Sequence, residues 1–391
     1  MGEFNKMKVK HICIVATATL MVAFAACKKK GCTDPGATNY DPEAKKYDGS
    51  CDYSDFSRQA MLQNIGKNII IPNYKTLVDK STELNDAVTN FAGSPSTVNL
   101  TTVQQAWKTA NLAWQNCKMF EFGPAEDEAM RANLNTYPTD SAQIENNISS
   151  GSYDLNSFTT AEEKGFPALD LLLFGIGENN DSIVNKYTIA PNATKRMDYL
   201  KDVSAHIKAK AETVYNAWIE EDGNYIQTFV EATGTDVGSS LGMLVNQLNF
   251  DYELIKNAKI GIPLGKKTLG QPLPEQVEAY YSGVSVELAT ANIEAIEHLY
   301  LGSTGLGLDD HLNAVDAQYN GGTLDEAIKS QLTKAINELK NVPDPLSETI
   351  ISNPSVVDDA YTELQAQVVL FKTDMPSVLG VLITYQDNDG D

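Results

Sequence analysis

Four residues combine chemical types and a spacing that could bind a metal ion or a small ligand. Glu294, Glu297 and His298 are close in sequence, and Glu294 and His298 are four residues apart, which places them on one face of a helix. Carboxylate and imidazole groups suit iron or zinc. With Asp170, which interrupts an apolar run, they form the candidate metal or ligand site. The alternative is a histidine satisfied within the core, beside solvated glutamates.

The overall charge excludes nucleic acid as the natural partner. The chain of 391 residues has 30 Lys and Arg against 52 Asp and Glu, a formal charge of −22. Such a chain would be repelled by a phosphate backbone. Only Arg58, Arg131 and Arg196 are arginines, too few to build clusters of bidentate clamps. The hydrophobic share of 42% predicts a large core, and the length suggests two domains.

The first 27 residues are organised like an export signal. Three lysines precede an uncharged run from Ile12 to Ala26, which is shorter than the roughly 20 residues that span a bilayer. Phe24-Ala25-Ala26-Cys27 resembles a bacterial lipobox. Residues 1–26 are therefore predicted to be a lipoprotein signal peptide and Cys27 its lipidation site, with an uncleaved anchor helix as the alternative. We expect an exported protein whose lipid anchor holds it to the bacterial membrane, namely the outer membrane, on its periplasmic or surface face.

Cys32 and Cys51 bound a segment that is rich in turn formers and poor in aliphatic residues. In an oxidising compartment, a disulfide between them would stabilise the loop by about 3 kcal/mol. The segment resembles a short acidic repeat of exported bacterial proteins. Residues 27–53 are thus predicted to be a lipid-anchored tether, and Cys117 is expected to be a buried, inert thiol.

Aspartates in two places could hold calcium through oxygen ligands. Within the tether the alternative is a plain stapled spacer, and the C-terminal group lacks the distal glutamate of a calcium loop. The tether residues are Asp34, Asp41, Asp48 and Asp52, and the C-terminal residues are Asp387, Asp389 and Asp391.

From Ser54 onward the apolar spacing is helical, and sustained strand alternation is absent. One stripe includes Val103, Trp107 and Trp114, and a second runs from Val277 to His298 with a seven-residue alternation. The fold class is therefore all-α, with helical bundles predicted at 54–194 and 195–391. Further helices are expected near 56–70, 74–91, 195–221, 236–257, 324–340 and 355–373. An echo between residues 168–175 and 295–302 has two explanations, duplication of one bundle or chance similarity of glycine-ended helices.

Several motifs resemble the imelysin-like family. They are KGFPALDLLLFG (164–175), FEFGPAEDEAMRANLNTYPTD (120–140), KIGIPLG (259–265), YYSGVSVELATANIEAIEHLYLG (280–302) and the terminal TYQDNDGD. The resemblance covers about residues 54–391. It implies two helical bundles of common origin with a site at their interface, in exported proteins implicated in iron uptake. The family is filed among metallopeptidases.

The family signature GxHxxE corresponds here to Gly165, Pro167 and Asp170. Proline at the histidine position offers no lone pair to a metal and no proton to transfer. The sequence therefore favours a binding protein for iron, a haem-like ligand or a partner of the uptake system. One alternative is a metallopeptidase that uses Asp170 with Glu294, Glu297 and His298, and another is a protein-docking module without a small ligand. Iron and calcium are the candidate ions.

Overall fold

The computed structural model describes residues 29–33, 39–51 and 56–385, which form an almost entirely helical body, and the all-α class is confirmed. The α-helices are α1 (Arg58–Ile65), α2 (Ile71–Gly93), α3 (Thr97–Gln115), α4 (Pro124–Asp127), α5 (Met130–Leu134), α6 (Ser141–Ser150), α7 (Gly165–Asp170), α8 (Asn180–Thr188), α9 (Ala193–Trp218), α10 (Tyr225–Glu231), α11 (Ser240–Leu254), α12 (Ile262–Leu264), α13 (Ser285–Tyr300), α14 (Leu308–Ala314), α15 (Leu324–Asn341), α16 (Leu346–Ser352), α17 (Pro354–Val369) and α18 (Met375–Leu379). Strands β1 (Lys30–Gly31) and β2 (Lys46–Tyr47) pair in parallel, and β3 (Gln318–Tyr319) and β4 (Gly322–Thr323) pair antiparallel. No helix in the described ranges has the length and apolarity needed to cross a bilayer.

π-helical turns join several of these helices into longer rods. The turns are Gly66–Ile70, Leu171–Gly175, Ile255–Gly261 and Leu370–Asp374. Three of them stand just before a proline at the start of the next helix: Pro72, Pro263 and Pro376. A proline ring clashes with the carbonyl four residues earlier, and a wider turn makes room for it. Pro72 therefore does not separate two helices near 56–70 and 74–91, because α1 and α2 form one rod.

The N-terminal bundle is built on α2, which packs along both α3 and α9. Its predicted stripe on α3 is buried, with Trp107 and Trp114 at 1% and 0% exposure. Helices α7 and α8 also pack on α9. Helix α9, which begins at the predicted boundary between the bundles, packs on α2, and the division of the chain at residue 194 stays a prediction.

The second bundle groups α15 with α13 and α17, and α13 also packs on α3 of the first bundle. The prediction of a single helical stripe from Val277 to His298 is wrong. Residues 277–284 form turns, in which Ala279 and Gly283 have positive φ angles of 55° and 70°, and α13 begins only at Ser285. The buried face of α13 then follows the 3.6-residue period through Leu288, and His298 is exposed.

The two echoing segments have different local structures. Residues 168–175 pass from α7 into a π-helical turn, whereas residues 295–302 complete a regular helix and close on Gly302 at a φ of 66°. A common origin of the two bundles stays a prediction.

The segment around Cys32 and Cys51 is a small module docked on the helical body. The two cysteines form a disulfide with a Cα–Cα distance of 4.5 Å. Arg58, at the start of α1, donates hydrogen bonds to the carbonyl oxygen of Gly49 at 2.6 Å and to that of Thr233 at 2.7 Å. The Arg58 guanidinium thereby fastens this disulfide module (residues 29–33 and 39–51) to the loop after α10.

Candidate functional site

The residues at the family-signature positions pack inside the body where the two bundles meet. Gly165 begins α7 with a φ of 74°, and a Cβ there would lie 2.3 Å from the carbonyl oxygen of Leu134. Only glycine therefore fits. Pro167 is buried within the first turn of α7, which begins at Gly165.

Asp170 holds a loop of the second bundle. Its Oδ2 accepts a hydrogen bond from the backbone N–H of Tyr281 at 2.9 Å, and its Oδ1 accepts one from that of Ser282 at 3.0 Å. Burial raises the pKa of Asp170 to about 6, against the opposing effect of the hydrogen bonds from Ser282 and Tyr281. The signature acid therefore acts as a clamp between the bundles, on the turn segment Val277–Val284, which we call the clamped loop.

A buried ion pair fixes the start of the clamped loop. Lys259 Nζ lies 2.7 Å from Glu278 Oε2, and the two side chains are 2% and 1% exposed. Burial raises the pKa of Glu278, but the positive charges of Lys259 and Lys118 outweigh this and lower it to about 2. Burial lowers the pKa of Lys259 to about 8 despite the opposing charge of Glu278. Both groups are charged at neutral pH.

Amide side chains from both bundles complete the network around this ion pair. Glu278 Oε1 accepts hydrogen bonds from Asn135 at 2.8 Å and Gln115 at 3.1 Å, and Lys259 donates to Gln115 at 2.6 Å. Asn292 of α13 donates to Asp251 of α11 at 2.6 Å.

Three oxygen atoms of this network have neither a hydrogen-bond partner nor an ion pair within the described ranges: Oδ1 of Asn135, of Asp251 and of Asn292. Buried acceptors of this kind are satisfied by ordered water or by polar groups of a ligand.

The structure does not bring Asp170, Glu294, Glu297 and His298 together. Glu294 projects from α13 to an ion pair with Lys340 of α15 at 2.6 Å, and His298 is exposed rather than buried on an apolar stripe. Within residues 29–33, 39–51 and 56–385, no group of three or more His, Cys, Asp or Glu could hold a metal ion. At the signature positions, Pro167 offers no lone pair to a metal, and each oxygen of Asp170 accepts one backbone N–H group.

Of the other predicted sites, the structure describes Asp41, Asp48 and Cys117. In the disulfide module, Asp41 pairs with Lys29 at 2.9 Å, and Asp48 accepts the N–H of Ser50 at 3.0 Å. Cys117 is 1% exposed, and burial raises the pKa of its thiol. The lipidation site at Cys27 and the aspartates at 34, 52, 387, 389 and 391 lie outside the described residues.

His311 is buried outside this site and makes stability depend on pH. It stacks on Phe56 with ring centroids 4.6 Å apart, and burial, followed by the charge of Arg58, lowers its pKa from 6.5 to about 3. The imidazole of His311 binds a proton more tightly in the unfolded chain than in the folded protein. The contribution of His311 to the free energy of unfolding is therefore complete above pH 6.5 and is lost as the pH falls towards 3.

We therefore expect His311→Gln to remove about 1.4 kcal/mol per pH unit from the pH dependence of stability in that window. Urea unfolding at a series of pH values measures this. His298→Gln, at an exposed position, is the control and should leave the slope unchanged. An unaltered slope in His311→Gln would contradict the assignment.

Sequence reasoning missed most of the network, although parts of it lie within the motifs that carry the family resemblance. Asn135 is in 120–140, Lys259 is in 259–265 and Asn292 is in 280–302. The available signal was a lysine or an amide on an otherwise apolar helix face. Asp251 and Glu278 had no such local mark.

A family model and a curated relative each match about three quarters of the chain. The family model described as Imelysin matches residues 70–371. An iron-regulated protein A of Synechococcus elongatus is 23% identical over 296 residues, which cover 75% of this chain and 78% of the relative.

Two solved structures share the fold. One is described as an iron-regulated protein A precursor from Parabacteroides distasonis and has a TM-score of 0.67 at 20% identity. The matched region covers 84% of this chain and 95% of the Parabacteroides distasonis chain. The other is an imelysin-like protein from Psychrobacter arcticum, with a TM-score of 0.63 at 18% identity. The matched region covers 85% of this chain and 99% of the Psychrobacter arcticum chain.

Proposed function

The chain belongs to the imelysin family, and from this premise we propose that it is an exported ligand-binding component of bacterial iron acquisition and not a peptidase. The relative from Synechococcus elongatus is named for its regulation by iron. The export signal and the lipobox-like Cys27 support a place at the outer membrane. The acidic body would then stand in solvent beside the bilayer.

The observation that carries this proposal is the role of Asp170. In a metallopeptidase, the signature acid would face a metal ion and a water molecule. Here both of its oxygens accept backbone N–H groups of the clamped loop. A carboxylate used in this way positions the clamped loop, and each of its oxygens is already engaged in a hydrogen bond to that loop.

The clamped loop presents two aromatic side chains to solvent. Tyr280 and Tyr281 are 43% and 38% exposed, and their ring centroids are 5.1 Å apart. The two rings meet edge to face, so one of them can offer its apolar face to a planar ligand, and both carry phenol oxygens, which are known ligands of haem iron. We assign a haem-like iron ligand to this surface, with Asp170 and Glu278 as positioning residues.

Haemin titration of the purified protein tests the assignment. Haemin should bind at micromolar concentration with a shift of its absorption band, and Tyr281→Ala should weaken binding by about tenfold, the effect of losing one aromatic contact of about 1.4 kcal/mol. Tyr280→Phe and Tyr281→Phe keep the rings and separate stacking from ligation. Tyr40→Ala, at a position with a similar exposure of 42%, is the matched control.

Two results would contradict the proposal. Absence of any retained haemin, ferrous iron or ferric iron in equilibrium dialysis would favour the docking module without a small ligand. Chelator-sensitive cleavage of a peptide library would instead restore the metallopeptidase hypothesis.

A further inference from the structure

A cavity of about 930 Å³ lies at the joint between the disulfide module and the helical body. Lys30, Lys46 and Asp48 line it from the module, Ser57 and Arg58 line it from the start of α1, and Asp236 lines it from the loop after α10. It is distinct from the clamped loop and the buried network.

The lysines of this cavity are placed side by side. Lys30 and Lys46 are register partners in the parallel pair β1–β2, and both are exposed. Like charges on neighbouring strands repel each other unless an anion lies between them. Lys29 is neutralised by Asp41 and Glu43, both at 2.9 Å, whereas neither Lys30 nor Lys46 has an ion-pair partner within the described residues.

A helix end adds to the positive potential. Helix α1 begins at Arg58, its N-cap Ser57 lines the cavity, and the rod continues through the π-helical turn into α2. The N-terminus of a helix attracts anions through its dipole and its free N–H groups.

Two carboxylates also line the cavity, and both are engaged locally. Asp48 and Asp236 each accept a backbone N–H within their own turns, from Ser50 and from Gly238. Among the cavity-lining residues that the structure describes, three are cations and two are carboxylates, in a chain whose formal charge is −22.

We propose that Lys30 and Lys46 bind a phosphate group at the mouth of this cavity, and that the phosphate is the headgroup of an anionic phospholipid. The module would then rest directly on the membrane surface. Position favours the lipid over free phosphate. Lys29 is two residues after Cys27, so a lipidated Cys27 would hold the bilayer within about 7 Å of the module.

Vesicle flotation tests this, with the processed chain from residue 27 carrying Cys27→Ser so that no acyl chain contributes. The chain should float with phosphatidylglycerol-containing vesicles and not with pure phosphatidylcholine. Each basic residue near the membrane surface raises the affinity for anionic vesicles about fivefold. Lys46→Gln should therefore weaken binding about fivefold, and the double variant Lys30→Gln/Lys46→Gln should weaken it about 25-fold. Lys45→Gln changes an adjacent exposed lysine that does not line the cavity, and should weaken binding less than twofold.

Two outcomes would overturn the proposal. If Lys45→Gln and Lys46→Gln weaken binding equally, the vesicles sense net charge alone and not this site. If phosphatidylglycerol vesicles do not bind, the membrane assignment fails. In that case, inorganic phosphate is titrated into the protein by calorimetry, with chloride at matched ionic strength as the control. Binding of phosphate and not of chloride would identify a site for soluble phosphate.

Discussion

Lys259→Met should lower the free energy of unfolding by about 3–5 kcal/mol, the largest effect that we expect from a single substitution in this protein. The ion pair with Glu278 is almost fully buried. Removing one partner leaves the other charge without compensation in a medium of low dielectric constant. Urea or guanidinium unfolding, followed by circular dichroism, measures the loss.

A double-mutant cycle separates the ion pair from the packing. Glu278→Gln should also be strongly destabilising, because it strands the Lys259 ammonium while keeping an oxygen for Asn135 and Gln115. Lys259→Met/Glu278→Gln should cost less than the sum of the single changes, because neither charge is then left alone. Strictly additive effects would contradict the coupling. Lys266→Met, at a partly exposed lysine that pairs with Asp358, is the control and should cost under 1 kcal/mol.

Asp170→Ala should cost about 2–4 kcal/mol and release the clamped loop. The change leaves the N–H groups of Tyr281 and Ser282 without their acceptor, at about 1–3 kcal/mol for each buried group. Hydrogen exchange should therefore accelerate at these two amides more than in α2, and haemin binding should weaken with it. Unchanged exchange at Tyr281 and Ser282 would refute the clamp.

Asp170→Asn is the matched control, because it keeps one oxygen acceptor and removes the charge. The pKa of Asp170 is raised from 3.8 to about 6 in the folded protein, so the folded state holds this proton more tightly than the unfolded chain. The proton-linked part of the stability from Asp170 is therefore complete below pH 3.8 and is lost as the pH rises through 6. Asp170→Asn should remove that decline, which runs in the opposite direction to the effect of His311.

Local patterns in the sequence predicted the long helices and missed most of the short ones. The stripe containing Trp107 and Trp114 is buried, because a three-and-four spacing of large apolar side chains leaves no other stable arrangement. The resemblance to the imelysin family is confirmed by the family model. The start of α13 was misplaced, because Tyr281 and Val284 continue an apolar pattern through residues that form turns.

The site shows why local patterns are insufficient there. Glu294 and His298 satisfy a helical spacing, yet α13 turns them away from Asp170, since a spacing fixes which residues share a face and not which neighbour that face meets. Asp170 was identified from its place in an apolar run, but its partners are backbone N–H groups more than a hundred residues away.

The sequence by itself determined the helical class, the family, and the loss of an imidazole at Pro167, since each of these depends on residue type and short-range spacing. Only the tertiary structure decided that Lys259 meets Glu278, that Asp170 clamps a loop, and that Lys30 lies beside Lys46 at the joint cavity. These contacts join segments that are distant in the chain. Their energy comes from burial and charge pairing in the assembled fold, which no local pattern encodes.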